Sequence, residues 1–209
     1  MDIKNLRIDY NQRKIDFNHF PKDPISLFIN WFNEALKSEQ EANSCVLSTV
    51  DIKNIPSSRV VLLKDVNNNG FIFFTNYNSS KAKDIEKNKH VALNFHWGKL
   101  ERQVRITGVA EKISERDSDE YFKSRPLGSQ LATLISEQSN SIDMAHDYMK
   151  KLENAKKQYK NKNIQRPMNW GGYIVEPNKI EFWQGRPSRL HDRLVYFNKN
   201  EWVCERLAP

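Results

Sequence analysis

The chain has 209 residues, a formal net charge of +7, 38% hydrophobic and 11% aromatic content, and only 7 glycines and 8 prolines. That length suits one domain with a substantial buried core, and that composition excludes a disordered or low-complexity chain. The positive field favours anionic partners, but much of the excess is lysine interleaved with glutamate in runs such as "KKLENAKKQYKNK", which reads as a solvated helix face.

Residues 1–20, beginning "MDIKNLRIDYNQRK", form a polar arm without the apolar centre of a signal peptide. The arm is expected to precede a single domain over residues 21–209. In "KDPISLFINWFNEALKSE", Asp23 is the candidate N-cap and Pro24 opens the first turn, with Leu27, Phe28, Trp31, Phe32 and Ala35 on one face. The period then changes. "SCVLSTV", "SRVVLLKDV", "GFIFFTN", "HVALNFHW" and "ERQVRITGVAEKIS" are short β-branched or aromatic runs separated by turn residues, as in a meandering antiparallel sheet or small barrel. "NNNG" between the second and third runs predicts a hairpin.

From Ser114 the pattern is helical through "SERDSDEYFKSRP", "GSQLATLIS" and "SIDMAHDYMKKLENAKKQYK". Two hairpins are expected to close the chain, one turning at Pro177-Asn178 and one at Asn198-Lys199-Asn200. The fold class is therefore α+β, with a barrel or curled antiparallel sheet at its centre. No apolar run approaches the roughly 20 residues that span a bilayer, and Cys45 and Cys204 stand apart without a CxxC pattern. A cytoplasmic protein with no membrane partner is expected.

Several segments carry candidate chemistry. "SRVVLLKD" sets Arg59 and Lys64 at the ends of a strand that reads as buried on both faces, which puts the charges at a pocket rim. Their five-residue separation sends them to opposite faces of a regular strand, so either a bulge intervenes or they serve different anions. "FFTNYNSSKAKDIEK" delivers Ser79, Ser80 and Lys81 to a helix start, a place for phosphate or for simple serine capping.

Gln103, Arg105 and Thr107 alternate with Val104 and Ile106 and present a face able to hydrogen-bond a heterocycle. Tyr121, Arg125 and Ser129 are spaced four apart, but Pro126 and Gly128 interrupt the helix, so Ser129 is expected to start the next one. Arginine and hydroxyls near a helix start again describe a phosphate pocket. The five histidines show no metal-ligand spacing, and neither GxGxxG nor a P-loop is present.

Taken together, "RVVLLK", "FFTNYNSSK", "RQVRITG", "YFKSRPLGSQ", "EQS", "NWGGY", "IEFWQGRPSRLHDR" and "ERLAP" resemble the pyridoxamine/pyridoxine 5′-phosphate oxidases, from about Leu6 to Pro209 and in order. The resemblance implies an FMN-binding split barrel, a homodimer, and FMN in clefts between subunits. By it, the strand from Arg59 through Val60, Val61, Leu62 and Leu63 to Lys64 would hold FMN with Phe74, Thr75, Ser80 and Lys81. Gln103, Gln138, Ser139, Trp183 and Arg193 would complete that site, some from the other subunit.

Lys64, Tyr121, Arg125 and Ser129 would grip the substrate phosphate, and Arg7 and Tyr10 would close over the substrate. Arg189 and His191 would lie over its pyridine ring as the catalytic pair, with Leu190 between them. The implied reaction oxidises pyridoxine 5′-phosphate or pyridoxamine 5′-phosphate with O2 to pyridoxal 5′-phosphate. One departure is that many relatives have arginine where this chain has Ser80, which removes a charge from the FMN phosphate. Two other readings stand beside this one: a split-barrel flavin reductase or other flavin oxidoreductase, and a basic nucleic-acid-binding module with a steep salt dependence.

Overall fold

The computed structural model describes residues 3–6, 8–160 and 162–209. Eight strands run β1 (Ser44–Val50), β2 (Pro56–Asn67), β3 (Gly70–Asn76), β4 (His90–Trp97), β5 (Arg102–Lys112), β6 (Trp170–Gln184), β7 (Asp192–Asn198) and β8 (Trp202–Leu207). Five helices accompany them: α1 (Pro24–Ala35), α2 (Ser80–Lys87), α3 (Glu115–Ser124), α4 (Leu127–Ile135) and α5 (Tyr148–Gln158). None of the described helices is long and apolar enough to cross a membrane.

The strands are antiparallel in the order β3-β2-β1-β4-β5-β6-β7-β8, and β6 also pairs with β3. Six strands therefore close into a barrel, and β7 and β8 extend the sheet beyond it. Closure removes the exposed edges that β3 would otherwise present. Helix α1 begins as its sequence predicts: the Asp23 carboxylate accepts from the Ile25 and Ser26 backbone N–H groups, and Pro24 occupies the first turn. Its apolar face enters the barrel core, where Phe28 is fully buried edge-on against Phe71 and Phe95, with Trp97 beside them. A smaller core of Phe122, Leu131, Ala155, Ile164 and Trp170 joins α3, α4 and α5 to the start of β6.

The hairpin between β2 and β3 is present, its turn held by the Asn67 side chain, which accepts from the Asn69 and Gly70 backbone N–H groups. So is the hairpin between β7 and β8. The expected hairpin at Pro177-Asn178 is not: β6 runs unbroken through both residues. Opposite β5, the pairing steps from Thr107↔Lys179 to Gly108↔Pro177, leaving Asn178 as a bulge. A bulge accommodates a proline without a ladder N–H and bends the strand. Gly108 permits the close approach, since a Cβ there would lie 2.2 Å from the Glu176 carbonyl oxygen. The bend lets the first part of β6 pair with β3 and its last part with β7.

Strand β2 also departs from expectation. Only Leu63 of its apolar run is buried, and Val60 is 62% exposed, because no element of the same chain covers that face. A register shift between Leu63 and Asp65 makes Lys64 the irregular residue, so strict alternation from Arg59 to Lys64 does not hold.

Replacing Phe28 by alanine should cost about 3–5 kcal/mol, because the aromatic cage around it closes only partly over the cavity. Urea unfolding followed by tryptophan fluorescence measures the loss.

Candidate functional site

A cleft of about 530 Å3 opens beside β2, β3, α3 and α4. Val60, Val61, Leu62, Lys64, Phe74, Thr75, Lys81, Tyr121, Arg125, Ser129 and Gln138 line it, together with Asn76, Thr133 and Trp170. Its floor is aromatic. Phe74 and Tyr121 stack at 3.8 Å between ring centroids, and Phe74 and Trp170 at 5.4 Å. The Arg125 guanidinium lies 4.5 Å from the centre of the Trp170 ring and donates to Thr133 Oγ1 at 2.8 Å, so its direction is fixed from two sides.

Lys81 sits in the first turn of α2 and is buried. Its Nζ donates to Thr75 Oγ1 and Ser79 Oγ, each at 3.1 Å, and to Gln138 Oε1 at 3.4 Å. All three acceptors are neutral. Burial, and then the nearby Arg59 charge, push the ammonium down to about 8 from an ordinary 10.5. Ser79 is the N-cap residue, but its hydroxyl donates to the Asn76 carbonyl and receives Lys81 instead of capping the helix.

Arg59 stands behind the cleft and does not line it. Its guanidinium donates to the Leu47 carbonyl, Thr49 Oγ1 and Ser57, and lies 4.0 Å from the Asp84 carboxylate, to which Thr49 donates at 2.7 Å. Leu63 belongs to the core and Ser80 is exposed, so neither side chain lines the cleft. Ser129 is in the first turn of α4, which starts two residues earlier than expected, at Leu127 behind Pro126.

A second cleft, about 780 Å3, shares no lining residue with the first and is formed by Leu6, Ile8, Asp9, Tyr10, Arg186, Ser188, Arg189 and His191. The Trp183 ring packs 4.5 Å from His191, and Tyr10 meets both rings edge-on at 5.8 Å. Ser188 and Arg189 have consecutive positive φ values, 56° and 62°, which turn the chain sharply back before His191. Such a conformation costs about 1–2 kcal/mol per non-glycine residue, so the surrounding contacts must hold it. Leu190 projects into solvent beside the cleft.

Gln103, Trp183 and Arg193 are consecutive partners across β5, β6 and β7. Arg193 donates to the buried Glu181 carboxylate at 2.8 Å and to the Ala208 carbonyl at 3.0 Å, and Arg105 also binds Glu181. Burial alone would raise Glu181, yet hydrogen bonds from Arg193 and Arg105 hold its carboxyl below the usual carboxylate range. Ser139, at φ 73°, lines a groove between α4 and α5 that adjoins the first cleft through Ala132, Ser136 and Gln138. Arg7 lies outside the described residues.

One chain thus brings Lys64, Phe74, Thr75, Lys81, Tyr121, Arg125, Ser129 and Gln138 together, and separately gathers Tyr10, Trp183, Arg189 and His191. Trp170 was not singled out from sequence, although the glycine pair after it was a signal: a Cβ on Gly171 would lie 2.2 Å from the Tyr77 hydroxyl. Thr49, Asp84 and Glu181 gave no sequence signal, because each acts by supporting an arginine on a neighbouring strand or helix.

Because Lys81 is lowered on folding, the unfolded chain binds more protons between about pH 8 and 10.5. This residue alone therefore adds about 3 kcal/mol of stability to the protein stripped of bound anions across that window, while the buried Cys45 thiol, pushed up to about 12, works in the opposite direction. Lys81→Met should remove this contribution and stabilise the stripped protein at neutral pH. Urea midpoints of the two proteins across pH give the difference.

Two family models cover most of the chain: pyridoxamine 5′-phosphate oxidase over residues 32–157, and the pyridoxine 5′-phosphate oxidase C-terminal dimerisation region over residues 170–209. A pyridoxine/pyridoxamine 5′-phosphate oxidase of Leptospira biflexa is 47% identical over 210 residues, spanning 100% of this chain and 99% of the relative. One from Hydrogenovibrio crunogenus is 48% identical over 211 residues, with the same coverage of 100% and 99%. Among solved structures, PhzG from Burkholderia lata, in complex with tetrahydrophenazine-1-carboxylic acid, superposes with a TM-score of 0.88 at 25% identity, covering 96% of this chain and 100% of that one. A pyridoxamine 5′-phosphate oxidase-related, FMN binding protein from Nostoc punctiforme gives a TM-score of 0.74 at 15% identity, covering 91% and 100%, a likeness of fold. The closed antiparallel barrel with its flanking helices is thus a split barrel, and the chain belongs to the pyridoxamine 5′-phosphate oxidase family.

Proposed function

We propose that this protein is an FMN-dependent oxidase that converts pyridoxine 5′-phosphate and pyridoxamine 5′-phosphate to pyridoxal 5′-phosphate. The observation that carries the reading is the first cleft. It is lined by a buried lysine with only neutral partners and, besides it, by Lys64, Tyr121, Arg125 and Ser129. Two anionic groups with planar rings between them match that arrangement. The buried Lys81 charge, which burial destabilises, fits the FMN phosphate, and Arg59 behind it adds a second positive charge.

FMN, when bound, supplies the hydride acceptor and passes the electrons on to O2, giving hydrogen peroxide. The residues of the chain bind and orient. Lys81, Thr75 and Gln138 hold the cofactor end, while Lys64, Tyr121, Arg125 and Ser129 hold the substrate phosphate and so fix the ring carrying the reacting C4′ carbon. When the amine is the substrate, loss of hydride from C4′ leaves an imine, which water hydrolyses to the aldehyde with release of ammonia. Arg189 and His191 orient the C4′ substituent from above. Ser80 is exposed and outside the cleft, so the cofactor phosphate relies on Lys81 and Arg59.

The second cleft belongs to the same reading through a homodimer. Trp170 begins β6 and Trp183 stands near its end, 183 − 170 = 13 positions along one strand, up to about 40 Å if extended. The residues of the second cleft lie within or against the C-terminal region that matches a dimerisation region. Two protomers bring one chain's first cleft against the other's second, with FMN between them.

The alternative, another flavin oxidoreductase on the same barrel, is favoured by the fold likeness to PhzG, whose bound acid is not named as a phosphate ester. The phosphate-ready cluster around Arg125 argues for the phosphorylated substrates.

Purified protein should be yellow, release FMN on denaturation and consume O2 with pyridoxine or pyridoxamine phosphate but not with the unphosphorylated vitamers. Colourless protein that takes up no added FMN would sink the reading. Arg125→Ala should lower kcat/KM by about 10- to 100-fold through KM, the loss of a charge-assisted contact. Arg189→Ala should retain FMN, read by flavin fluorescence titration, while losing most turnover.

A further inference from the structure

Arg186 and Asp192 flank the Ser188–His191 turn, and neither grips a ligand in the reading above. Asp192 is buried, and its Oδ2 accepts from the Ile15 backbone N–H at 3.1 Å and lies 3.4 Å from Arg186 Nε, with Arg206 3.8 Å from its Oδ1. The Arg186 guanidinium reaches on to the Arg13 carbonyl at 3.0 Å. The root of the turn is tied as well, since the Gly185 N–H donates to the Glu101 carbonyl at 2.7 Å. The backbone N–H of Arg186 is thereby aimed across the turn, where it donates to His191 Nδ1 at 3.1 Å.

An imidazole nitrogen that accepts a hydrogen bond carries no proton, so the proton of the neutral ring resides on the other nitrogen. Among the described residues no group is hydrogen-bonded to His191 Nε2. We propose that Arg186, clamped by Asp192, is a positioning residue that fixes His191 as the Nε2–H tautomer. His191 is thereby a hydrogen-bond donor to the substrate and not a proton acceptor. The surroundings agree: burial, then the Arg189 charge, lower the affinity of the ring for a second proton, while Asp192 opposes them. A cation would have to break the Arg186 bond, because both its nitrogens donate.

The tautomer stands on geometry alone, whereas the donor role rests on the oxidase reading. The first test needs no turnover. Two-bond 1H–15N spectra of the full-length chain labelled at its imidazole nitrogens, recorded above neutral pH, report the protonated nitrogen, with His191 assigned by its loss in His191→Gln. A single Nε2–H form is expected. A proton on Nδ1, or an averaged mixture like that of free imidazole, would overturn the proposal whether or not the protein is an oxidase. Arg186→Ala, which releases Asp192 and the arm, should shift His191 toward that mixture, and an unchanged spectrum would overturn the clamp.

Turnover then tests the donor role. His191→Gln keeps an N–H donor but takes up no proton, so it should retain at least tenfold more kcat than His191→Ala. Equal losses would overturn the donor role and leave the tautomer standing. A protein with no oxidase activity at all would instead defeat the reading of function, with the spectra unaffected.

Discussion

The architecture depends on one bent strand. β6 closes the barrel on β3, shares its longest ladder with β5, and then carries β7 and β8 outward. A straight 15-residue strand could not serve β3 at one end and β7 at the other, so the bulge at Asn178 and the bare Cα of Gly108 opposite it are what let the barrel close. The same strand links the two clefts, because it holds Trp170 in the first and Trp183 beside the second. Their separation within one chain is the ground for the proposal that a second protomer completes the site.

Charge burial follows two different rules in the two regions. Glu181 is a buried carboxylate already satisfied by Arg105 and Arg193, an arrangement that stiffens the strands carrying Gln103, Trp183 and Arg193. Lys81 is a buried cation held only by hydroxyls and an amide, an arrangement that is costly until an anion arrives. The first kind of site is a scaffold; the second suits the anion proposed for it. Arg59 lies between the two, supported by Thr49 and Asp84 but still close enough to Lys81 to lower its proton affinity.

Much of the site was legible along the chain. Lys81 at a helix start after Thr75, and the Tyr121, Arg125 and Ser129 cluster around a broken helix, both read as anion sites, and the structure places them in one cleft. Reading failed where local rules were overridden by the sheet. Pro177-Asn178 has the chemistry of a turn, but pairing on both sides kept β6 extended through it. The run from Val60 to Leu63 has the pattern of a buried strand, but burial of that face depends on whatever lies outside a single chain.

The sequence by itself determined the class of every long element, the Asp23 and Pro24 start of α1, the antiparallel sheet and the supply of cationic and hydroxyl side chains, because these follow from periodicity, caps and side-chain chemistry over short spans. Only the tertiary structure decided which of those residues meet. It split them between two clefts, bent β6 instead of turning it, set Arg59 behind the cleft it was expected to line, and aimed the Arg186 N–H at His191. Each of these outcomes depends on groups far apart in the chain, such as Ile15 with Asp192 or Lys81 with Gln138, and no local pattern records a contact that only the closed barrel creates.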